Sequence, residues 1–226
     1  MMIPEDESVS TYSTREGLMT HILIVQHAEK ERLPGDPGLT PRGHKQADAT
    51  ARFIAGTVRI GAVLSSPLRR ARETAEPISS VAGLPVVLDD GLRERMNWEP
   101  ESTGQSIDEF LVEWAEATQD RHFAPVSGDS SWLAAKRFSE SIVEHARKLP
   151  EGSTLVVVAH GGVTVDLLRT LAGDDAVHDQ YPWLMERGIP SCALTWLSCD
   201  SRGLDVVQVA DTSHLDAGLV VNHSIA

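Results

Sequence analysis

Two histidines follow directly on apolar runs. His27 comes after HILIV (21–25) and Gln26, and His160 comes after TLVVVA (154–159). A short, wholly apolar run reads as a strand buried on both faces. In an open α/β sheet the carboxyl ends of such strands form the ligand crevice. The two imidazoles are therefore expected to share one cleft, whereas the other histidines fall at helix surfaces, loops or tails. Gly161 and Gly162 open a helix, so its first N–H groups and positive dipole end should face the same cleft, an arrangement suited to phosphate. Ser65-Ser66-Pro67-Leu68-Arg69-Arg70 ends another strand at that edge, and Arg70 could reach in as a two-pronged phosphate ligand. Two adjacent arginines are more often a solvated face, so the cluster, not Arg70 alone, carries the reading. An alkoxide leaves poorly without a proton. Glu94, in Leu92-Arg93-Glu94 after the third strand, is the candidate general acid.

The elements that must position these groups are well punctuated. Thr40-Pro41 supplies an N-cap and first-turn proline for a helix over 41–55. GAVLSS (61–66) reads as a strand, Ser66-Pro67 repeats the capping device for a helix to about Val81, and LPVVLD (84–89) is the third strand. Ser106-Ile107-Asp108-Glu109 is a capping box, and it sets Ile107, Phe110, Leu111 and Trp114 on one helical face. A further helix spans about 131–149. The run 154–159 is the central strand, a helix follows to Gly173, and strands at 192–198 and 204–210 complete the set. Alternating strands and helices predict a three-layer α/β/α domain with a mostly parallel central sheet. Residues 1–20 read as a disordered lead, 21–226 as one domain, and 95–130 as a lid inserted over the carboxyl ends of the strands.

With 226 residues, 41% hydrophobic and 23% charged, the chain has the make-up of a soluble globular domain. Its longest apolar runs are far shorter than the ~20 residues that span a bilayer, and it opens on no basic-then-apolar signal segment. The cytoplasm is the expected compartment. A formal charge of −13 argues against nucleic acid or an anionic membrane as partner, but a local arginine cluster still admits a small anionic substrate. Cys192 and Cys199 fall in one apparent strand, where roughly 23 Å of extended chain would keep them from bridging. No HExxH or comparable ligand spacing calls for a metal, and no cofactor is expected. Nothing in the sequence sets an oligomeric state.

Five segments in register, QHAEK (26–30), LTPRGHKQA (39–47), SSPLRRARETA (65–75), LRE (92–94) and AHGG (159–162), resemble the histidine phosphatase superfamily, also called phosphoglycerate mutase-like. The resemblance covers about 20–215 and includes ADTSHL (210–215). It implies that His27 attacks phosphorus and becomes phosphohistidine. It further implies that Glu94 protonates the leaving oxygen and later deprotonates the attacking water. Arg70, His160 and the Gly161 N–H would bind the equatorial oxygens, without metal. The substrate implied is a small phosphorylated metabolite.

One position departs from that pattern. The family motif carries an arginine before the nucleophilic histidine, and this chain carries Gln26. A neutral amide in place of a charged donor forfeits roughly 1.5–3 kcal/mol, on the order of 10–150-fold in rate. Lys30, Arg32 and Arg42 are near enough in sequence to restore the charge, and nothing in the sequence decides whether one of them does. Lys30, Arg32, Arg95 and Trp98 are the candidate pocket residues, with Trp98 in a loop beside the acid and Trp114 assigned to core packing. Three functions remain open at this level: a phosphatase, a weakly active or inactive phosphate-binding relative, and a phosphomutase. Mutases of the family usually carry a longer insertion between the acid and the second histidine.

Overall fold

The computed structural model describes residues 19–220; residues 1–18, most of the expected lead, lie outside that range. Six strands form one sheet in the order β3-β2-β4-β1-β5-β6. These are β1 (Thr20–Gln26), β2 (Ile60–Ser65), β3 (Val86–Leu88), β4 (Thr154–Ala159), β5 (Leu194–Asp200) and β6 (Gly203–Asp211). β3, β2, β4 and β1 are mutually parallel, and β5 and β6 are added antiparallel at one edge. The result is the expected α/β sheet, mostly parallel.

Alternate residues of the central strands build two cores. Ile22, Ile24, Leu155 and Val157 face α5 (Ser131–Ala146) and α6 (Gly161–Ala172), meeting Phe138, Ile142, Val163 and Leu167. Leu23, Val25, Val156 and Val158 face α1 (Pro41–Thr57) and α2 (Arg69–Ala82), meeting Ala51, Ile54, Ala71 and Ile78. Each such aliphatic side chain fully buried contributes about 1.5–3 kcal/mol. The period of two therefore sorts apolar residues onto both faces, which is why these strands read as unbroken apolar runs.

Between the acid-bearing loop and α5 lie two helices, α3 (Pro100–Thr103) and α4 (Ile107–Gln119). Ser106 and Glu109 form the expected capping box of α4. Phe110, Leu111 and Trp114 of the expected α4 face pack with Met96 and Ala117, whereas Ile107 is exposed. Two short helices absent from the sequence reading, α7 (Asp174–Gln180) and α8 (Pro182–Arg187), follow α6.

Three boundaries also move. α2 starts at Arg69 behind an N-cap at Leu68, so Ser66 is not its cap. α5 ends at Ala146 rather than 149. Cys192 precedes β5 with a positive φ of 57°, so the two cysteines do not share a strand; both are free and buried.

Candidate active site

β1 and β4 are neighbours in parallel register, with Gln26 opposite Ala159. The next residue on each strand is a histidine. α1, which leaves β1, packs on one face of the sheet, and α6, which leaves β4, packs on the other. A crevice opens where such connections diverge. The rings of His27 and His160 meet there, 5.3 Å between centroids and tilted by 59°.

Each ring is held. The N–H of His27 bonds to the Ala159 carbonyl at 3.0 Å, and its Nδ1 lies 2.8 Å from the Ala28 carbonyl. A carbonyl can only accept, so Nδ1 carries the proton and the neutral ring keeps its lone pair on Nε2. Ala28 N–H in turn donates to Thr74 Oγ1, and Thr74 donates to the Arg70 carbonyl. The loop after β1 is thereby tied to the helix that carries Arg70. His160 is fully buried, with Nε2 2.7 Å from Ser66 Oγ. Burial first, then the nearby Arg70 and His27, push its pKa well below the ordinary value of 6.5, so the ring is neutral near pH 7.

Arg70 sits in the first turn of α2 and is 4% exposed. One Nη donates to Asn97 Oδ1 at 3.3 Å. Its Nε and other Nη have no hydrogen-bond partner among the described residues. A buried guanidinium that keeps its charge needs an anion or acceptors to offset lost hydration.

Glu94 docks on the start of α6. Its two oxygens accept from the N–H groups of Gly162 (3.0 Å) and Val163 (2.8 Å), and from Arg95 N–H at 2.8 Å. Two of the helix donors expected to be open to phosphate are therefore taken by the carboxylate. A Cβ on Gly162 would stand 2.6 Å from Glu94 Oε1 and 2.7 Å from Trp114, so only glycine allows this approach.

A cavity of about 230 Å³ opens beside His27 and Glu94, with Arg70 and His160 behind its lining. Gln26, His27, Lys30, Glu94, Arg95 and Gly161 all line it. Gln26 is buried, with its Oε1 lacking a hydrogen-bond partner among the described residues. Of the cations proposed to stand in for an arginine there, only Lys30 reaches the cavity. Arg32 is exposed, and Arg42 is bound to Glu29 through two contacts at the surface. Burial, then Arg70 and Arg32, lower the pKa of Lys30.

Of the candidate pocket residues, Arg32 and Trp98 do not line the cavity. Trp98 packs with Met96, Phe110 and Phe123, and its indole N–H donates to the Gln105 carbonyl at 2.9 Å, away from the cavity. Trp114 packs against the Phe110 cluster as expected and also forms a cavity wall, stacked 4.1 Å from the Arg95 guanidinium. Arg95 lines the cavity, but its charge is spent inside the protein: Nη1 pairs with Asp166 at 3.1 Å and Nη2 donates to Thr118 at 2.5 Å.

Residues that the sequence reading did not single out include Ser66, Asn97 and the 184–189 segment with Arg187. For that segment the signal was Pro182-Trp183-Leu184-Met185, a first-turn proline before apolar residues, between Gly173 and the next strand.

Among the described residues, no cluster of three or more His, Cys, Asp and Glu could hold a metal ion, and no helix is long and apolar enough to cross a membrane.

Residues 22–212 match the family described as histidine phosphatase superfamily (branch 1). A bifunctional protein of Mycobacterium tuberculosis is 30% identical over 161 residues, which is 66% of this chain and 40% of that protein. The chain thus matches well under half the length of that relative. The protein named "Probable phosphoglycerate mutase GpmB" of Shigella dysenteriae is 30% identical over 88% of this chain and 96% of its own. Among solved structures, mycobacterial glucosyl-3-phosphoglycerate phosphatase with inorganic phosphate superposes with a TM-score of 0.69 at 23% identity, over 87% of this chain and all of that one. The α-ribazole phosphatase of Shigella flexneri superposes at 0.62 and 21% identity, over 85% and 96%. These two structures share the fold.

Proposed function

We propose that this chain, which belongs to the histidine phosphatase superfamily, hydrolyses a small phosphomonoester through a phosphohistidine formed on His27, without a metal. The observation that carries the reading is the pairing of a tautomer-fixed His27 with a buried, incompletely bonded Arg70 beside a second buried histidine.

In the first step the Nε2 lone pair of His27 attacks phosphorus, and the bond to the leaving oxygen breaks. Glu94, lining the same cavity, gives that oxygen its proton. Arg70, His160 and the Gly161 N–H hold the equatorial oxygens as charge shifts onto them, the electrostatic contribution that dominates such transfers. In the second step Glu94 takes a proton from water. The resulting oxygen attacks phosphorus, releasing phosphate and the neutral His27 ring. Neutral His160 fits this scheme, because the arriving phosphate dianion supplies the charge that draws a proton onto it. The helices between Glu94 and α5 act as a cover, with Trp114 and Thr118 of α4 closing one side of the cavity.

The test is chemical. Labelled substrate quenched at alkaline pH should leave label on His27. His27→Ala should fold, as judged by circular dichroism, and lose turnover by at least about 10⁴-fold, since a covalent route cannot proceed without its nucleophile. Substantial turnover by His27→Ala would sink the mechanism. The relatives named as mutases support a second reading, phosphoryl transfer between positions of one substrate. Dependence of the rate on a bisphosphate primer would establish it.

A further inference from the structure

Gln26, His27, Lys30, Glu94 and the Gly161 N–H, all on the cavity, account for a phosphoryl group and a proton donor. Apart from Thr118 and Arg187, the remaining side chains of the wall are mainly apolar. Trp114 from α4, Val165 from α6, and Leu184, Met185 and Ile189 from α8 and the segment after it line the same space. Leu184, Ile189 and Val165 are anchored in a small core of their own with Leu168, Val177 and Ala193. The wall is therefore a fixed surface, not a set of loose side chains. Of the other cations that line the cavity, Arg187 is exposed at its edge, and Arg95 is turned inward onto Asp166 and covered by Trp114. Its stacked face gives the pocket a ring in place of a charge. Carbohydrate or polyhydroxy-acid leaving groups need a polar partner for nearly every hydroxyl, and desolvated hydroxyls left unpaired weigh against binding. On this wall Thr118 Oγ1 is already bonded to Arg95 and to the Trp114 carbonyl, which leaves Arg187 as its remaining polar side chain.

We propose that the leaving group read by this wall is an apolar-bodied alcohol: an alkyl or aryl-alkyl chain whose carbons lie against Trp114, Leu184, Met185 and Ile189, with its phosphate at His27. The proposal rests on the phosphatase reading for its chemistry, but not for its binding. A cavity of about 230 Å³ has room for a chain of several carbons beyond the phosphate. Each methylene transferred from water to such a wall is worth roughly fourfold in affinity.

The experiment separates the two claims. Dissociation constants of methyl-, ethyl-, butyl- and hexylphosphonate, which cannot be hydrolysed, are measured by calorimetry on the intact protein. The affinity of hexylphosphonate should exceed that of methylphosphonate by about 50-fold or more. Met185 is only half-buried, so Met185→Asp should fold, and it should flatten this dependence with methylphosphonate as internal reference. Affinities independent of chain length would overturn the proposal, and so would a length dependence that Met185→Asp leaves intact. Turnover is scored separately on ethyl and hexyl phosphate, whose leaving groups have similar basicity. If neither is hydrolysed although hexylphosphonate binds tightly, the phosphatase reading falls and the apolar subsite stands. If both are hydrolysed at equal kcat/KM and the phosphonates bind alike, the subsite falls and the phosphatase reading stands.

Discussion

Gln26 ends β1 one residue before His27, and its side chain is 5% exposed with Oε1 lacking a partner among the described residues. It meets the cavity as a neutral amide within reach of the phosphoryl position, where the family resemblance implies an arginine. Gln26→Arg should therefore add a charged donor to a group already facing Arg70 and His160. The expected gain is about 10-fold in kcat/KM, with tighter inhibition by phosphate and vanadate. A fall in activity would show that Lys30 already supplies the charge and that the newcomer displaces it. The residue scale is also where the sequence was most legible. His27, His160, Glu94 and Arg70 are identifiable because each sits one to a few residues past a strand end, and a parallel sheet carries all such ends to one edge. That Trp98 packs away from the cavity, and that Arg95 lines it with its charge turned inward, could not be read in this way. Their surroundings depend on how α4 packs, which no local pattern specifies.

Among elements, α6 does the most to shape the site. Its N-terminus binds Glu94 through two backbone N–H groups, and Gly162 allows carboxylate and Trp114 to close on the helix. Gly162→Ala places a methyl 2.6 Å from Glu94 Oε1 and 2.7 Å from Trp114, so the acid must move by a substantial fraction of an ångström. Misplacement on that scale costs up to about 100-fold. The loss should appear in the phosphorylation step on alkyl phosphates and far less on nitrophenyl phosphate, whose leaving group needs little protonation. Pre-steady-state bursts on the two substrates measure this; equal losses would remove Glu94 from the acid role. The glycine pair was visible in the sequence, but its occupant was misjudged. Free helix donors imply an anion, and the anion that binds Gly162 and Val163 is the protein's own glutamate. The short helices α7 and α8 escaped notice because seven and six residues are too few to display a helical period.

Across the whole molecule, one buried ion pair joins the cover to the sheet-packed helices. Asp166 of α6 accepts from Arg95 at 3.1 Å and from Ser131 of α5, with Arg169 a further 3.9 Å partner. Both members of the main pair are nearly inaccessible. Burial raises the Asp166 pKa from its ordinary 3.8 to about 6, against the opposing pull of Arg95. The sign of the linkage follows. Between about pH 4 and 6 the folded state holds a proton that the unfolded state releases, so the stability this group contributes fades as pH rises through 6. Removing the Arg95 charge takes away the largest influence holding that pKa down, and the fade then extends to higher pH. Arg95→Met should therefore be destabilised by about 3 kcal/mol at pH 8, where Asp166 is ionised and has lost its nearest cation. At pH 5.5 most of Asp166 is protonated, and the gap to the parent should shrink. Urea denaturation at the two pH values, followed by tryptophan fluorescence, measures both gaps. A gap that does not change with pH would mean that Arg95 stabilises the fold through its stacking on Trp114 and its hydrogen bond to Thr118, and that its charge does not set the ionisation of Asp166.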